Sequence, residues 1–369
     1  MDNSSIFHKM TRLAKEYKSI NLSQGVPVND YDDLWNECVS NQEGINWQYT
    51  HPAGTENFKS IIMNNYTGTK NLCVTETSGC TESLLCALLS FKEKGFESLI
   101  IFSPYYSYYT GFSYICGMKC YKIPLDIRLG RINWDNVKTI CKKNSSVILV
   151  NTPHNPSGHT LTEEDEFHLI NILDETKCAV LVDEVYRDFI YEGKNINYRI
   201  LMKDNVLIAS SWSKSLLGSG VRVGWLIGKK TIIDRCQYFR MHMSHCTPDI
   251  LERGSIKLKQ HTHFYKEKTK NKYKLRRDIL FESLLKSGFE AIFPKAGHFI
   301  MARNGNSNKL NTFDQCMRLT KLAGVTPLPL DCFFHDDNPE KWIRFSFSVP
   351  TTQLEEAAKR LVKNKFLNN

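Results

Sequence analysis

The stretch SVILVNTPHNPSG at 146–158 decides how this chain folds. Its first half is apolar at successive positions rather than at alternate ones, the pattern of a strand covered on both faces. Its second half places two prolines and a glycine directly after the strand, which makes a stiff turn able to present Asn155. Working outward, further short β-rich runs appear at 72–78 (LCVTETS), 98–103 (SLIIFS), 119–125 (KCYKIPL), 178–183 (CAVLVD), 205–211 (NVLIASS) and 224–228 (GWLIG). Helical patterns separate them, so the expected fold class is α/β, with a mostly parallel, seven-stranded sheet between helices.

Four of these strands run into polar or glycine-rich sequence: SGCTES at 78–83, SPYYSYY at 103–109, NTPHNPSG at 151–158 and DEVY at 183–186. Ligands of open α/β sheets bind beyond the carboxyl ends of the strands, so these segments point to one shared site. From about residue 275 the character changes to a basic helix, FEAIFPKAGHFIMAR, a helix near 312–323, GVTPLPLDCFF, WIRFSFSV and a final amphipathic helix at 351–364. The organisation expected is an N-terminal segment (1–35) packing with a smaller domain, a large domain (36–270) and a smaller α+β domain (271–369).

The 369 residues are 41% hydrophobic and 24% charged, as in ordinary folded proteins, and no apolar run is long enough to span a bilayer. The formal charge of +9 is spread along the chain, and its densest cluster, KEKTKNKYKLRR at 266–277, reads as a solvated helix face rather than a nucleic-acid site. A basic surface favours anionic small molecules. The twelve cysteines lack the paired spacings of zinc sites and read as reduced core thiols, so no metal is expected. No charged-then-apolar leader opens the chain, and a cytoplasmic location is the expectation.

The most specific cluster is SSWSKSLLGSGVRVGW at 210–225. Ser211 and Ser213 precede Lys214, and Arg222 follows it, a set suited to holding a phosphate while an amine attacks an aldehyde. A surface lysine in a polar loop is the competing account. In VDEVYRDF at 182–189 an apolar strand ends in Asp183, with Tyr186 three residues on. A buried carboxylate needs a cationic partner, which a pyridinium nitrogen supplies, although a helix N-cap also explains an aspartate there. SGCTES is a small-residue turn into a helix that can offer backbone N–H groups to a phosphate.

The order INLSQGVP, QYTHPAGTENF, SGCTES, SPYYSYY, NTPHNPSG, DEVYRDF, SSWSKSLLGSGVRVGW and WIRFSF resembles the class I/II aminotransferases of fold type I across almost the whole chain. IFHKMTRLAKEYKSINLSQGVP and GVTPLPLDCFF are most similar to the branch with kynurenine and methionine aminotransferases. The resemblance implies a pyridoxal 5'-phosphate enzyme acting on amino acid and 2-oxo acid substrates, with ping-pong kinetics, as a homodimer. It implies Lys214 as the Schiff-base lysine and proton shuttle, Asp183 against the ring nitrogen, Tyr186 and Asn155 on the ring hydroxyl, and Tyr106 flat on the ring. Gly79, Cys80, Thr81, Ser211, Ser213 and Arg222 would surround the phosphate, and Tyr49 would reach the phosphate in the neighbouring subunit. Arg344 and Gly25 would grip the substrate carboxylate. Ser78 and Cys80 in the turn, Asn57–Lys59, and HMSHCTPDILERG at 242–254 depart from the common pattern. A lyase acting on cysteine conjugates or a biosynthetic cyclase would use the same residues and is the alternative; a DNA-binding module is not expected ahead of INLSQGVP.

Overall fold

The computed structural model describes residues 5–27, 30–66, 71–196, 198–262, 265–304, 310–335 and 338–364. The strands in chain order are β1 (Ile20–Asn21), β2 (Leu72–Thr77), β3 (Ser98–Ser103), β4 (Lys119–Asp126), β5 (Arg131–Ile132), β6 (Ser146–Asn151), β7 (Cys178–Asp183), β8 (Val206–Ser211), β9 (Gly224–Lys229), β10 (Phe289–Ala291), β11 (Phe299–Asn304), β12 (Val325–Thr326), β13 (Leu328–Pro329) and β14 (Ile343–Ser346). The large sheet has the order β2-β9-β8-β7-β6-β3-β4-β5. β4, β3, β6, β7 and β8 are parallel, and β9 runs antiparallel between β8 and β2. The sheet has eight strands rather than the expected seven. The addition, β5, is a two-residue antiparallel edge on β4 whose Arg131–Ile132 pair offers no apolar run to read.

The aliphatic runs cover both faces. Ile100, Ile148, Val180 and Ile208 point into one core layer, while Leu99, Val147, Leu181 and Leu207 point into the other. From β3 the chain moves outward to β4, then returns to β6 on the opposite side of β3. The carboxyl ends of β3 and β6 therefore flank a topological switch point, where the sheet opens a crevice.

β10, β11, β14 and β13 form a second, antiparallel sheet over a separate core. The N-terminal helix Ile6–Glu16 is capped by Ser5 and buries Met10 and Ala14. After it, β1 pairs in parallel with β12, the Leu22 N–H donates to the Thr326 carbonyl (2.9 Å), and the Ser346 N–H donates to the Leu22 carbonyl (2.8 Å). The LSQG loop is thereby carried to the small sheet, where a side chain on Gly25 would meet the Phe299 ring at 2.4 Å. The basic run 266–277 lies in helix Lys266–Lys286. Its face is not wholly solvated, because Arg276 and Arg277 are buried and reach Asp30 and Glu192. Among the described residues no helix is long and apolar enough to cross a membrane.

Candidate active site

The carboxyl ends of β2, β3, β6, β7 and β8, the amino end of β9 and the LSQG loop converge on a cleft of about 320 Å³. Lys214 enters from the single helical turn Trp212–Ser215 that follows β8. Its Nζ donates to the Gly25 carbonyl at 2.6 Å, so the amine sits where the two sheets face each other. Burial, followed by the positive charges of Arg344 and Arg222, brings its pKa down to about 8.

Arg222 has a left-handed backbone (φ 59°) that turns its side chain back across the mouth of helix Cys80–Glu93. Its Nη1 donates to Ser213 Oγ (3.3 Å) and the Ser219 carbonyl (3.0 Å), and its Nη2 to the Ser78 carbonyl (3.2 Å). Gly79 is the N-cap of that helix, at φ 79° and without a side-chain cap. A Cβ on it would lie 2.3 Å from Arg222 Nη2, so only glycine leaves the guanidinium beside the first-turn N–H groups. Ser211 Oγ is buried there without a hydrogen-bond partner.

Asp183 ends β7 and is 4% exposed. Tyr109 Oη donates to its Oδ2 (2.8 Å), the Val185 N–H to its Oδ1 (3.2 Å), and Cys80 Sγ lies 3.6 Å from Oδ1. Burial nevertheless raises its pKa. Among the described residues no lysine, arginine or histidine forms an ion pair with it. Asn151 on the adjacent strand donates to the Asp183 carbonyl (3.0 Å) and accepts from the Asn155 N–H (2.7 Å), which ties the NTPHNPSG turn to β7.

Arg344, on β14, is 1% exposed. Its Nη1 donates to Asn155 Oδ1 (3.0 Å), its Nη2 to the Ser23 carbonyl (2.9 Å), and its Nε has no partner. Phe299 lies 3.9 Å from the guanidinium carbon, and burial brings its pKa down to about 10. Tyr186 is pressed edge-on by His298 and Phe299, and Tyr106 stands against Tyr108 and Tyr109. Burial raises the pKa of both phenols.

Of the residues singled out from sequence, Gly25, Cys80, Thr81, Tyr106, Asn155, Asp183, Tyr186, Ser211, Ser213, Lys214, Arg222 and Arg344 line this one cleft. Gly79 sits behind it, against Arg222. Tyr49 does not join them: it is 80% exposed and leans on His245. His242 and His245 belong to no metal-ligand cluster among the described residues. Sequence reasoning missed Asn151 as the brace of the turn, Tyr109 as the partner of Asp183, and Phe7 and Phe299 as walls. SPYYSYY contained the tyrosine, but nothing local tells which of its rings turns toward a residue 74 positions away.

The profile of the family Aminotransferase class I and II matches residues 18–361. Methionine aminotransferase of Escherichia coli (strain K12) is 26% identical over 371 residues, covering 97% of this chain and 95% of that protein. Kynurenine–oxoglutarate transaminase of Dictyostelium discoideum is 24% identical, over 98% of this chain and 94% of that protein. Among solved structures, an Escherichia coli protein with a methionine aminotransferase function superposes with a TM-score of 0.90 at 23% identity, covering 98% and 99% of the two chains. Aspartate aminotransferase of Thermus thermophilus gives 0.86 at 20%, over 98% of this chain and 97% of that one. These relatives do not favour elimination or cyclisation. The chain belongs to the class I and II aminotransferases, and is a pyridoxal-phosphate-dependent transaminase of fold type I.

Proposed function

We propose that this enzyme moves the amino group of an L-amino acid with an apolar or aromatic side chain to a 2-oxo acid, with Lys214 taking and returning the proton at the substrate α-carbon. The observation that carries this proposal is the half-buried Lys214 amine, brought down to about 8 and held between Arg222 and Arg344 in a cleft whose carboxylate, Asp183, pairs with no cation among the described residues. Among the described residues none of these four charged side chains has a counter-charge, which a pyridoxal phosphate and its substrate would provide. Ser211 Oγ, the uncapped helix start at Gly79 and Arg222 fit a phosphate; Asp183 fits a ring nitrogen; Arg344, with a free Nε, fits a carboxylate.

When bound, pyridoxal phosphate supplies a protonated aromatic ring that takes up charge from the α-carbon. Around it, Gly79, Cys80, Thr81, Ser211, Ser213 and Arg222 would hold the phosphate, Tyr106 the ring face, Asn155 and Tyr186 the ring hydroxyl, and Asp183 the ring nitrogen. Arg344 and the Gly25 backbone would fix the substrate carboxylate and aim the α-proton at Lys214 Nζ. With its pKa near the working pH, the amine can both accept and donate that proton. One site serves both half-reactions, so the first keto acid leaves before the second enters.

Phe7, Val26, Leu84, Tyr108, Phe112 and Phe299 add apolar wall to the lining, beside the polar Ser5, His8, Gln24 and Ser219. Among the described residues the lining holds no lysine or arginine beyond Lys214, Arg222 and Arg344, which favours a thioether or aromatic side chain over a second carboxylate. Trp47 and Tyr49, each 80% exposed on one short segment, support a homodimer in which Tyr49 reaches the partner's phosphate. The divided cores support a large body of 36–270 and a small one of 271–369 joined by the N-terminal segment, and twelve unpaired cysteines support a reducing, cytoplasmic setting. The test is the visible absorbance of the purified protein with pyridoxal phosphate. Methionine or phenylalanine should bleach the bound cofactor, aspartate much less, and a 2-oxo acid should restore it; Lys214→Ala should not cycle. A wild type that stays colourless or unresponsive overturns the proposal.

A further inference from the structure

Asp183 has two side-chain hydrogen-bonding neighbours: Tyr109, to which the transamination scheme gives no role, and Cys80, to which it gives a place only beside the phosphate. Tyr109 Oη donates to its Oδ2 at 2.8 Å, from a buried ring in helix Tyr108–Ile115. Cys80 Sγ stands 3.6 Å from its Oδ1, at the first position of helix Cys80–Glu93 and on the cleft wall. The backbone of Val185 supplies the remaining donor. The nearest other acid, Glu184, turns to the opposite side of β7, where Tyr66, Tyr198 and Arg187 occupy it. The cleft's cations, Lys214, Arg222 and Arg344, make no ion pair with Asp183 among the described residues.

We propose that Tyr109 and Cys80 are positioning residues that keep Asp183 in its ionised form, and through it keep the ring nitrogen of the cofactor protonated. This rests on the assignment of Asp183 to the ring nitrogen. A proton shared between a pyridine nitrogen and a carboxylate can reside on either. The charged pair, N–H⁺ with carboxylate, wins only if the anion is stabilised, and a carboxylate in an apolar pocket is not. Burial pushes Asp183 up, and the hydrogen bonds from Tyr109, the Val185 N–H and Cys80 pull it back. Removing a donor moves the proton from the ring to Asp183, with nothing else gained or lost. Neither neighbour can supply that proton in competition, because burial and the Asp183 charge hold the Tyr109 phenol and the Cys80 thiol well above their ordinary pKa values.

The direct readout is the ¹⁵N chemical shift of pyridoxal phosphate labelled at the ring nitrogen and bound to the full-length protein. Wild type should give a pyridinium value across neutral pH. Tyr109→Phe, which keeps the ring, should move the resonance toward neutral pyridine and weaken cofactor binding by about ten- to a hundredfold, the range for losing a hydrogen bond to a charged group. Cys80→Ala should move it the same way by less, and Cys80→Ser should return it, a rescue that packing alone would not give. A pyridinium shift unchanged in both Tyr109→Phe and Cys80→Ala overturns the proposal. Asp183→Asn separates the layers: if it leaves the ring nitrogen protonated, the assignment of Asp183 itself fails; if it does not while the other variants stay silent, only the role of Tyr109 and Cys80 fails.

Discussion

Two arginines are equally buried in this enzyme and have opposite surroundings. Arg240, on helix Lys230–Met243 behind the phosphate turn, meets Glu76 at 3.3 Å and Glu82 at 3.6 Å and donates to Thr247 Oγ1 and the His245 carbonyl. Arg344, at the cleft, meets neutral oxygens and the rings of Phe299, Phe333 and Phe7. A buried charge is tolerable when compensated. The first is compensated by the fold and therefore serves the fold. The second lacks a counter-charge among the described residues, and on the proposed function its compensation would come from a ligand. The Arg240 cluster also anchors a surface: Glu252 accepts from the N–H and hydroxyl of Thr55, Thr247 accepts from Thr50, and Asp249 accepts from the Asn46 N–H, so the segment carrying Trp47 and Tyr49 is pinned at both ends.

The largest effect expected from breaking this contrast is at Arg240. Arg240→Leu leaves the fully buried Glu76 and the nearby Glu82 without their cation, and should cost about 3–5 kcal/mol of stability, read as a lower denaturation midpoint. Arg344→Gln should do the reverse. Glutamine removes a buried charge that has no counter-ion among the described residues while keeping a polar side chain, so stability should change by less than about 1 kcal/mol. The loss should appear in kcat/KM for amino acids, by about 1.5–3 kcal/mol of lost charged hydrogen bonding. If Arg344→Gln unfolds the protein as badly as Arg240→Leu, the distinction between a fold arginine and a ligand arginine is wrong.

The same contrast explains which parts of the molecule were legible in sequence. Strands such as Ser146–Asn151 and Cys178–Asp183 were read to the residue because burial on both faces demands uninterrupted β-branched and aliphatic residues, a local signature. Asn155, Asp183 and Lys214 were legible because they stand at or just beyond the ends of such strands, where a polar residue after an apolar run is conspicuous, whereas Tyr106, Gly25 and Arg344 came only with the family resemblance. Glu76 and Arg240, 164 positions apart, were invisible for the opposite reason. Glu76 looks like one more polar residue in LCVTETS, and only the antiparallel pairing of β2 with β9, together with the helix that follows β9, sets it against a cation. Tyr49 marks another limit: its proposed partner would lie in a second copy, and within one chain it stays exposed.

The smallest expected effect is a displacement along the pH axis, and it tests whether the uncompensated charges of the cleft act on each other. Lys214 is lowered first by burial, then by Arg344 and Arg222, to about 8. The amine that attacks the cofactor aldehyde must be free, so capture of pyridoxal phosphate by the cofactor-free protein should rise with pH up to about 8 and level off above it. The sign follows from a depressed pKa: the charged form is lost at lower pH than in an exposed lysine, for which the rise would continue to about 10. In Arg344→Gln one of the two repelling charges is gone, and the breakpoint should move upward by a fraction of a unit while Arg222 and burial still hold it low. Stopped-flow absorbance across pH 6–10 would follow both proteins. A wild-type breakpoint near 10 would mean the amine is hydrated rather than enclosed. A breakpoint that does not move in Arg344→Gln would mean that burial and Arg222 set it, and that the two halves of the cleft, proposed to hold a phosphate and a carboxylate, do not sense each other through Lys214.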